Sequence, residues 1–359
     1  MFNTFENYII RLFLKKILTI SLIFLSLVLI LSIFDEISFF KDLEINFFFP
    51  FLITFLNAPS TLFQIFPFIF LISTQFFFLD LINKNELEVL KINGLNNLRV
   101  IRILFLTSLL VGIILVCFFY NFSSKLKFIY LDLKNNYSND NKYLAVVTEN
   151  GLWIKDEIDE KIYIVNAMEI EGNYLQDVSI NEFNKQFDLI QIFRSDKVNI
   201  LDKKWVVFNP TISKDNTTRE IKENITITTH FDQKKINRLF RNLSALNILE
   251  LLKLKDDYKS LGYSTNEIIS HLNKLLSFPV YISIMSILSS IIMLNIKRNK
   301  PKVFHIILGI FLSVFIYYFY YLFNLLGETG KIPLVASIWL PLLMLTFFIL
   351  IGLVRVNEK

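Results

Sequence analysis

One stretch of this sequence resembles a phosphate-binding loop: GETGKI, residues 327–332. A Walker A loop has four residues between its glycines and a Ser or Thr after its lysine, so that backbone N–H groups can cradle phosphates. Here two residues separate Gly327 from Gly330, and Ile332 follows Lys331. We therefore predict that the chain binds no nucleotide or other cofactor, and that any ATP that drives it is bound by another chain.

Other residues suited to catalysis or metal binding are scattered. The histidines His230, His271 and His305 have no spacing that would gather ligands for a metal. Cys117 is the single cysteine and lies in an apolar run, which excludes an internal disulfide and a thiolate cluster. A transferase would need a cluster of acidic residues accompanied by a histidine. One acidic cluster is present, but without a histidine, and it consists of Asp35, Glu36, Asp42 and Glu44. We expect no metal site and no enzymatic activity, so a membrane-bound glycosyl- or phosphotransferase ranks last.

A more informative set of charged residues lies in NELEVLKINGLNNLRVIR, residues 85–102, between two apolar stretches. Its apolar residues recur at three- and four-residue spacing, as on one face of a short helix lying along a membrane: Leu87, Leu90, Ile92, Leu95 and Leu98. Glu86 would fall in the first turn, where a carboxylate complements the helix dipole, and Gly94 would permit a tight turn. The segment is either an ordinary basic loop or a coupling helix that docks into a motor subunit. Glu86 and Glu88 favour docking.

The elements that flank this segment are apolar and long. Apolar residues make up 53% of the 359 residues, more than a soluble core of this size would bury. About 20 apolar residues cross a bilayer core, and six stretches meet that length: residues 12–34, 58–79, 103–122, 275–296, 303–326 and 334–354. The sequence thus predicts a polytopic α-helical membrane protein with six transmembrane helices.

Lysine and arginine are concentrated in alternate connections between the predicted spans. One side of the membrane collects them from both termini and from the second and fourth connections: Arg11, Lys15, Lys16, Lys84, Lys91, Arg99, Arg102, Lys297, Arg298, Lys300, Lys302, Arg355 and Lys359. The short connections on the other side carry Lys41 and Lys331. By the positive-inside rule both termini are cytoplasmic, and the long segment between the third and fourth spans is exported.

This exported segment shows the alternation of half-buried strands. We predict strands at four short stretches rich in β-branched and aromatic residues: KIYIV at 161–165, LIQIF at 189–193, WVVF at 205–208 and ITITT at 225–229. Helical patterns follow after about residue 234. We therefore predict three regions. Residues 1–122 form three spans with a cytoplasmic coupling loop at 80–102, residues 123–271 form an exported β domain with connecting helices, and residues 272–359 form three further spans.

Several short motifs carry a resemblance to a known family. Glu86 and Leu87 are followed by six residues and Gly94, ahead of the third span. In order along the chain come YIIRLFLKKIL and FDEI in the first span, QIFPFIFLIS in the second, GLWIKD at the first strand, LGYST before the fourth span, and GKIP with WLP around the sixth. Together they resemble the lipopolysaccharide export permeases, the F and G subunits of the Lpt ABC transporter. GLWIKD and QIFP favour the G subunit.

The resemblance implies a fold and a set of partners. The exported domain would be a periplasmic β-jellyroll in a protein of the bacterial inner membrane. The chain would form a heterodimer with a paralogous six-span permease of the F type, and a cytoplasmic ATPase dimer would bind the coupling loops. Lipopolysaccharide would pass to a single-span bridge protein and a periplasmic carrier protein, and no nucleic acid is expected. By position Glu86 would contact the ATPase, supported by Leu87, Leu90 and Gly94.

The resemblance also implies a path for the lipid, which would enter between the first span of one permease and the fifth of the other. The fifth span here is aromatic, FLSVFIYYFYYLFN at 311–324, which suits either helix packing with an interfacial belt or a gate for acyl chains. The candidate gate residues are Phe311, Phe315, Tyr318 and Phe319. The residues expected to line the jellyroll are Ile162, Ile164, Ile190 and Ile192.

The chain departs from the family at the outer end of the first span. Family members carry basic residues there that meet the lipid phosphates. Here the stretch reads SIFDEISFFKD, so that Lys41 is the one candidate, and Asp35 and Glu36 are unfavourable neighbours for a phosphate. This departure weakens the assignment of Lys41 to a phosphate site and points to a modified lipid.

A second class of function fits the same architecture. A membrane-anchored envelope sensor or assembly factor would use the β domain to bind a periplasmic ligand and the cytoplasmic loop to dock a signalling partner. It would need neither ATP-driven lipid movement nor a second six-span chain. The two hypotheses therefore differ in the partners that they require.

Overall fold

The computed structural model describes residues 4–41, 46–92, 96–135, 137, 152–158, 161–214, 217–221, 223–233, 236, 242–260, 264–295 and 301–357. Two compact units are distinguished by their internal packing. One comprises Met1–Tyr130 with Asn266–Lys359 and is helical, and the other, Leu131–Thr265, carries the β-sheet. The sequence prediction for the exported domain was residues 123–271.

Six helices within the described ranges are long and apolar enough to cross a membrane, which confirms the predicted spans. They are α1 (Thr4–Phe39), α2 (Phe49–Asn83), α4 (Asn97–Ile114) with its continuation α5 (Asn121–Asn135), α7 (Asn266–Leu294), α8 (Lys302–Glu328) and α9 (Leu334–Asn357). Two shorter helices are α3 (Glu86–Ile92) and α6 (Ile248–Ser260). The first three spans extend well beyond the predicted apolar stretches. The first and third do so through polar residues, and α2 does so through the further apolar residues FPFLITFLN at 49–57.

The centre of the helical unit is formed by α2 and α7. In their apolar windows 67% and 61% of residues are buried, against 17% in both α1 and α8. Hydroxyl groups connect the central helices: Ser289 donates to the carbonyl of Leu71 at 2.8 Å, and the hydroxyl oxygens of Ser108 and Ser286 are 2.9 Å apart. Helices in a bilayer gain no hydrophobic driving force from packing on one another, so small residues and close backbone approach hold the bundle together.

The third span contains both a close approach and an irregular turn. A β-carbon at Gly112 on α4 would lie 2.7 Å from Cα of Pro279 on α7, so no larger residue fits there without backbone movement. A π-helical turn, Leu115–Tyr120, then joins α4 to α5. Tyr120 is buried, and its hydroxyl lies 2.9 Å from Nε2 of His271. His271 therefore has a structural partner within the bundle.

The described part of the second unit contains an antiparallel sheet of eight strands, and each predicted strand is present. Its members are β1 (Leu152–Ile158), β2 (Lys161–Glu171), β3 (Tyr174–Asn184), β4 (Leu189–Asn199), β5 (Lys204–Val207), β6 (Thr211–Lys214), β7 (Thr217–Glu220) and β8 (Ile225–Thr228). The hydrogen-bonded order is β1-β2-β3-β4-β5-β8, and β6 pairs with both β4 and β7.

The two ends of this strand order are joined by side chains. Asp156 on β1 is buried, and its carboxylate accepts hydrogen bonds from the Thr229 hydroxyl at 2.7 Å and the His230 backbone N–H at 2.9 Å. The His230 ring nitrogen Nδ1 lies 2.8 Å from the same carboxylate. Thr229 and His230 directly follow β8. Their hydrogen bonds to Asp156 therefore show that the first and last strands lie close together, so the sheet is curled as in a jellyroll.

The pairing register decides which residues share a face of the sheet. Ile154 pairs with Val165, Val165 with Ile180, and Ile180 with Phe193, so these four side chains lie on one face. Ile164 pairs with Asn181 and Asn181 with Ile192, which places them on the opposite face.

Candidate functional site

The charged segment between the second and third spans contains the short helix α3. Asn85 has a left-handed backbone (φ 57°), which turns the chain sharply after α2, and Glu86 and Glu88 fall in the first turn of α3. The third span then begins at Asn97, where the Asn96 side chain accepts a hydrogen bond from the N–H of Arg99 at 2.8 Å. The helix and the position of Glu86 within it agree with the prediction, whereas Gly94 and Leu95 lie outside the described residues.

Only part of the predicted apolar face of α3 turns toward the bundle. Leu90 is buried at 4% exposure and Leu87 is half-buried, but Ile92 is 85% exposed. The prediction that Ile92 shares a face with Leu90 is wrong because two residues of α-helix rotate a side chain to the opposite side. Leu98 belongs to α4 instead. The exposed tip of α3 is formed by Glu88, Val89 and Ile92.

Glu86 is held by a residue of the first span. Its Oε2 accepts a hydrogen bond from the Tyr8 hydroxyl at 2.7 Å, and Lys84 lies 3.9 Å from its Oε1. Two further ion pairs tie α1 to its neighbours at this end: Glu6 with Arg99 of α4, and Lys16 with Asp80 of α2. The base of α3 is thus fixed on the bundle while its tip projects outward.

The aromatic residues of the fifth span mostly face away from the rest of the chain. Phe311, Phe315 and Tyr318 are 73%, 61% and 64% exposed, and Phe319 is half-buried with its ring stacked 6.4 Å from that of Phe315. The opposite side of α8 is buried through Ser313 and Ile316. Helix packing within this chain therefore does not account for the aromatic face.

The predicted phosphate site has one exposed base. Lys41 lies at the end of α1 and is exposed. Of its two acidic neighbours Glu36 is buried, and it accepts a hydrogen bond from the Tyr130 hydroxyl at 2.9 Å, whereas Asp35 is exposed. One of the two carboxylates expected to disfavour a phosphate is therefore turned into the bundle.

The apolar pocket of the β domain is lined by residues other than those predicted. It is bordered by Ile154, Tyr163, Val165, Ile180, Trp205 and Ile227. None of the predicted Ile162, Ile164, Ile190 and Ile192 borders this pocket. The register places Ile164 and Ile192 on the other face of the sheet, whereas Ile162 is buried. Their role in lining the interior stays a prediction. The pattern KIYIV is apolar at four successive positions and cannot distinguish the two faces. Trp205 is fully buried and donates from Nε1 to the Phe231 carbonyl at 2.9 Å. A tryptophan within a predicted strand was the clearest sequence signal for the face that lines the pocket.

Polar groups on the pocket face are paired. The Glu182 side chain accepts hydrogen bonds from Nε2 of Gln191 at 2.7 Å and lies 2.8 Å from Nζ of Lys161. The hydrogen bond from Lys161 to the Glu182 carboxylate raises the pKa of Lys161 above its usual range. The charge of the largely buried Glu182 is therefore balanced, as a buried carboxylate requires.

Among the residues that the structure describes, no group of three or more His, Cys, Asp or Glu side chains is close enough to hold a metal ion. His230, His271 and His305 occupy three separate places, the first two with the partners described above. Cys117 is exposed on the third span.

Six spanning helices with a β domain inserted between the third and fourth define a multi-pass membrane protein with a large extramembrane module. The chain belongs to the family of the lipopolysaccharide export system permeases LptF/LptG, whose model matches residues 7–355. A comparison with curated proteins found no match. The protein is accordingly a permease of lipopolysaccharide export rather than an enzyme, and the sensor hypothesis gives way to this assignment.

Proposed function

We propose that the chain is the G-type permease of an ABC exporter that extracts lipopolysaccharide from the inner membrane, driven by a separate cytoplasmic ATPase dimer. The observation that carries the coupling role is the exposed tip of α3, formed by Glu88, Val89 and Ile92, on a base fixed by Glu86 and Tyr8. A short helix with an apolar and acidic tip suits insertion into a cleft of a partner. The positive-inside pattern puts this tip in the cytoplasm, where ATP is available.

The lipid would enter beside the outer helices. The first and fifth spans are the least buried, and each presents a large apolar face that this chain does not cover. A second six-span permease would face them, and the exposed Phe311, Phe315 and Tyr318 would contact acyl chains. Lys41 would meet a lipid phosphate. The lipid would continue into the periplasmic β domain along Ile154, Val165 and Ile180, and from there to a single-span bridge protein and a periplasmic carrier.

The ATPase contact is tested by changing the charge on α3 without removing the helix. Glu86→Lys in the affinity-tagged chain, extracted from its native membrane in mild detergent, is expected to lower recovery of the ATPase by at least tenfold because a cation would replace the fixed carboxylate. Glu86→Gln removes the charge but keeps a hydrogen-bond acceptor for Tyr8. It therefore separates the effect of the charge on ATPase recovery from the effect of a change in local structure. Quantitative mass spectrometry of the co-purified proteins provides the measurement.

Two matched variants control for folding. Tyr8→Phe removes the hydrogen bond to Glu86 but leaves its charge, so ATPase recovery should change less than for Glu86→Lys. Glu88→Lys reverses a charge at the exposed tip and should weaken association with no loss of inserted protein. Normal ATPase recovery with Glu86→Lys and with Glu88→Lys would refute docking through α3.

A further inference from the structure

A groove runs between α1 and α4 at the end of the helical unit that carries Glu86. Its lining includes Glu6 and Leu14 on α1, and Arg99, Arg102, Leu106 and Leu110 on α4. The cavity volume is about 840 Å³, within the range of roughly 300–1,000 Å³ that small-molecule ligands occupy. The groove is open on one side.

The groove has a charged end and an apolar body. Arg99 and Arg102 lie one helical turn apart, and Leu106 and Leu110 continue the same stripe along α4. With a rise of about 1.5 Å per residue, the stripe from Arg99 to Leu110 is about 16 Å long, which is about half of a hydrocarbon core of roughly 30 Å. The groove therefore has the depth of one leaflet.

The charges at the polar end are not balanced. Oε1 of Glu6 accepts hydrogen bonds from Nη2 and Nε of Arg99 at 2.9 and 3.2 Å, which neutralises and orients that guanidinium. Arg102 is exposed and forms no hydrogen bond or ion pair with any residue that the structure describes. One positive charge thus remains at the mouth of an apolar groove, and basic pockets between spans on the cytoplasmic side suit anionic lipid headgroups.

We propose that this groove binds one anionic phospholipid of the cytoplasmic leaflet, with the phosphate at Arg102 and an acyl chain along Leu106 and Leu110. A transmembrane helix of a partner would have to bring its own acidic residue to the level of Arg102, since an unpaired charge inside a membrane interface is costly. The proposal uses the cytoplasmic placement of α3 given above but not the transport of lipopolysaccharide.

Occupancy of the groove would bear on the coupling helix. The lipid would lie between the two helices that the Glu6 and Arg99 ion pair joins, and Asn96, which caps α4 just after α3, also lines the groove. A bound lipid would hold α1 and α4 at a fixed spacing, and α1 carries the Tyr8 hydroxyl that holds Glu86. Anionic lipid would thereby stabilise the position of α3.

The test measures lipid retention by the full-length chain in detergent. Native mass spectrometry would compare phosphatidylglycerol with phosphatidylethanolamine of the same acyl chains. The wild-type chain should retain phosphatidylglycerol about fivefold more strongly, the effect of one basic residue at an anionic headgroup. Arg102→Gln should remove this preference, Arg102→Lys should keep it, and Leu110→Trp should lower retention by filling the apolar body.

Arg11→Gln is the matched control because Arg11 is an exposed base on α1 that does not line the groove. It should retain phosphatidylglycerol as the wild type does. Equal retention of the two lipids by the wild type, or equal losses for Arg11→Gln and Arg102→Gln, would overturn the proposal. Efficient cross-linking of a cysteine at Leu106 to a partner permease would also overturn it, because a protein would then fill the groove. These outcomes are measured as lipid retention and cross-linking, whereas the proposed function is tested by ATPase recovery with the Glu86 and Glu88 variants, so a failure here stays separate from a failure of the proposed function.

Discussion

The central helices α2 and α7 and the outer helices α1 and α8 are all apolar enough to span a membrane, but they differ in how much of each helix is buried. In the centre, small and polar side chains are buried beside large ones such as Phe70 and Phe77, and the small and polar ones include Ser73, Thr74, Gln75, Ser283, Ser286, Ser289 and Ser290. The outer helices instead present large side chains to the outside, such as Leu18, Leu22, Phe311 and Phe315.

The difference shows that one set of helix surfaces serves packing within the chain and another serves contact with lipid or a partner. Inside a bilayer, large apolar side chains are as well solvated by lipid as by protein, so they add little to association. Close backbone approach and interhelical hydrogen bonds are what keep the central helices together. The outer faces are then free to meet lipid or a second permease.

The largest expected effect comes from filling the close approach at the centre. In Gly112→Leu the new side chain would collide with the backbone of Pro279, since a β-carbon alone would be 2.7 Å from its Cα. We expect a loss of about 3 kcal/mol or more in folding free energy, at the upper end for overpacked sites. Thermal unfolding of the purified protein in detergent provides the measurement. Ile113→Phe adds bulk at the neighbouring exposed position and should change stability by less than about 0.5 kcal/mol. Equal stability of the two variants would contradict the division between centre and periphery.

A smaller effect, on transport rather than on stability, is expected for the outer face. The triple variant Phe311→Ala, Phe315→Ala and Tyr318→Ala removes side chains that the rest of the chain does not bury. We expect unfolding to stay close to that of the wild type and lipid transfer to fall by about tenfold, a barrier increase of about 1.4 kcal/mol. Transfer would be measured as ATP-dependent photolabelling of lipopolysaccharide by a reactive residue at Ile180, in the pocket of the β domain.

The same assay contains its own background control. A photoreactive residue at Ile164 lies on the opposite face of the sheet and should label weakly in every variant. Unchanged labelling at Ile180 after loss of the three aromatic side chains would assign the aromatic face to a structural belt. Equal labelling from photoreactive residues at Ile164 and Ile180 would show that the lipid does not pass through the pocket.

The smallest expected effect is on the free energy of unfolding and concerns two buried hydroxyl groups on α7. Ser289 donates to the carbonyl of Leu71 on α2 at 2.8 Å, whereas Ser283 donates to Pro279 within its own helix at 2.7 Å. Ser289→Ala should cost about 0.6 kcal/mol, the average for an interhelical hydrogen bond in a membrane protein. Ser283→Ala should cost less, because no bond between helices is lost. Equal unfolding temperatures for Ser289→Ala and the wild type would show that this bond adds nothing.

Much of the architecture was predictable because it depends on local patterns. Apolar length determines where a chain can cross a bilayer, and apolar alternation determines where half-buried strands form. The position of α3 followed from the spacing of its apolar residues and from Glu86. The face that α3 turns to the bundle did not, since Leu90 and Ile92 are equally apolar and only packing against the bundle distinguishes them.

The lining of the β domain shows the same limit. Ile162, Tyr163, Ile164 and Val165 offer apolar side chains to both faces of β2, so the sequence by itself determined that a strand forms there but not which face lines the pocket. The tertiary structure decided the face through the curl of the sheet, to which Asp156 contributes by joining β1 to the segment after β8. It also decided that Glu86 lies against Tyr8, 78 residues away in sequence. Contacts between distant residues arise from packing of whole elements, which no local spacing encodes.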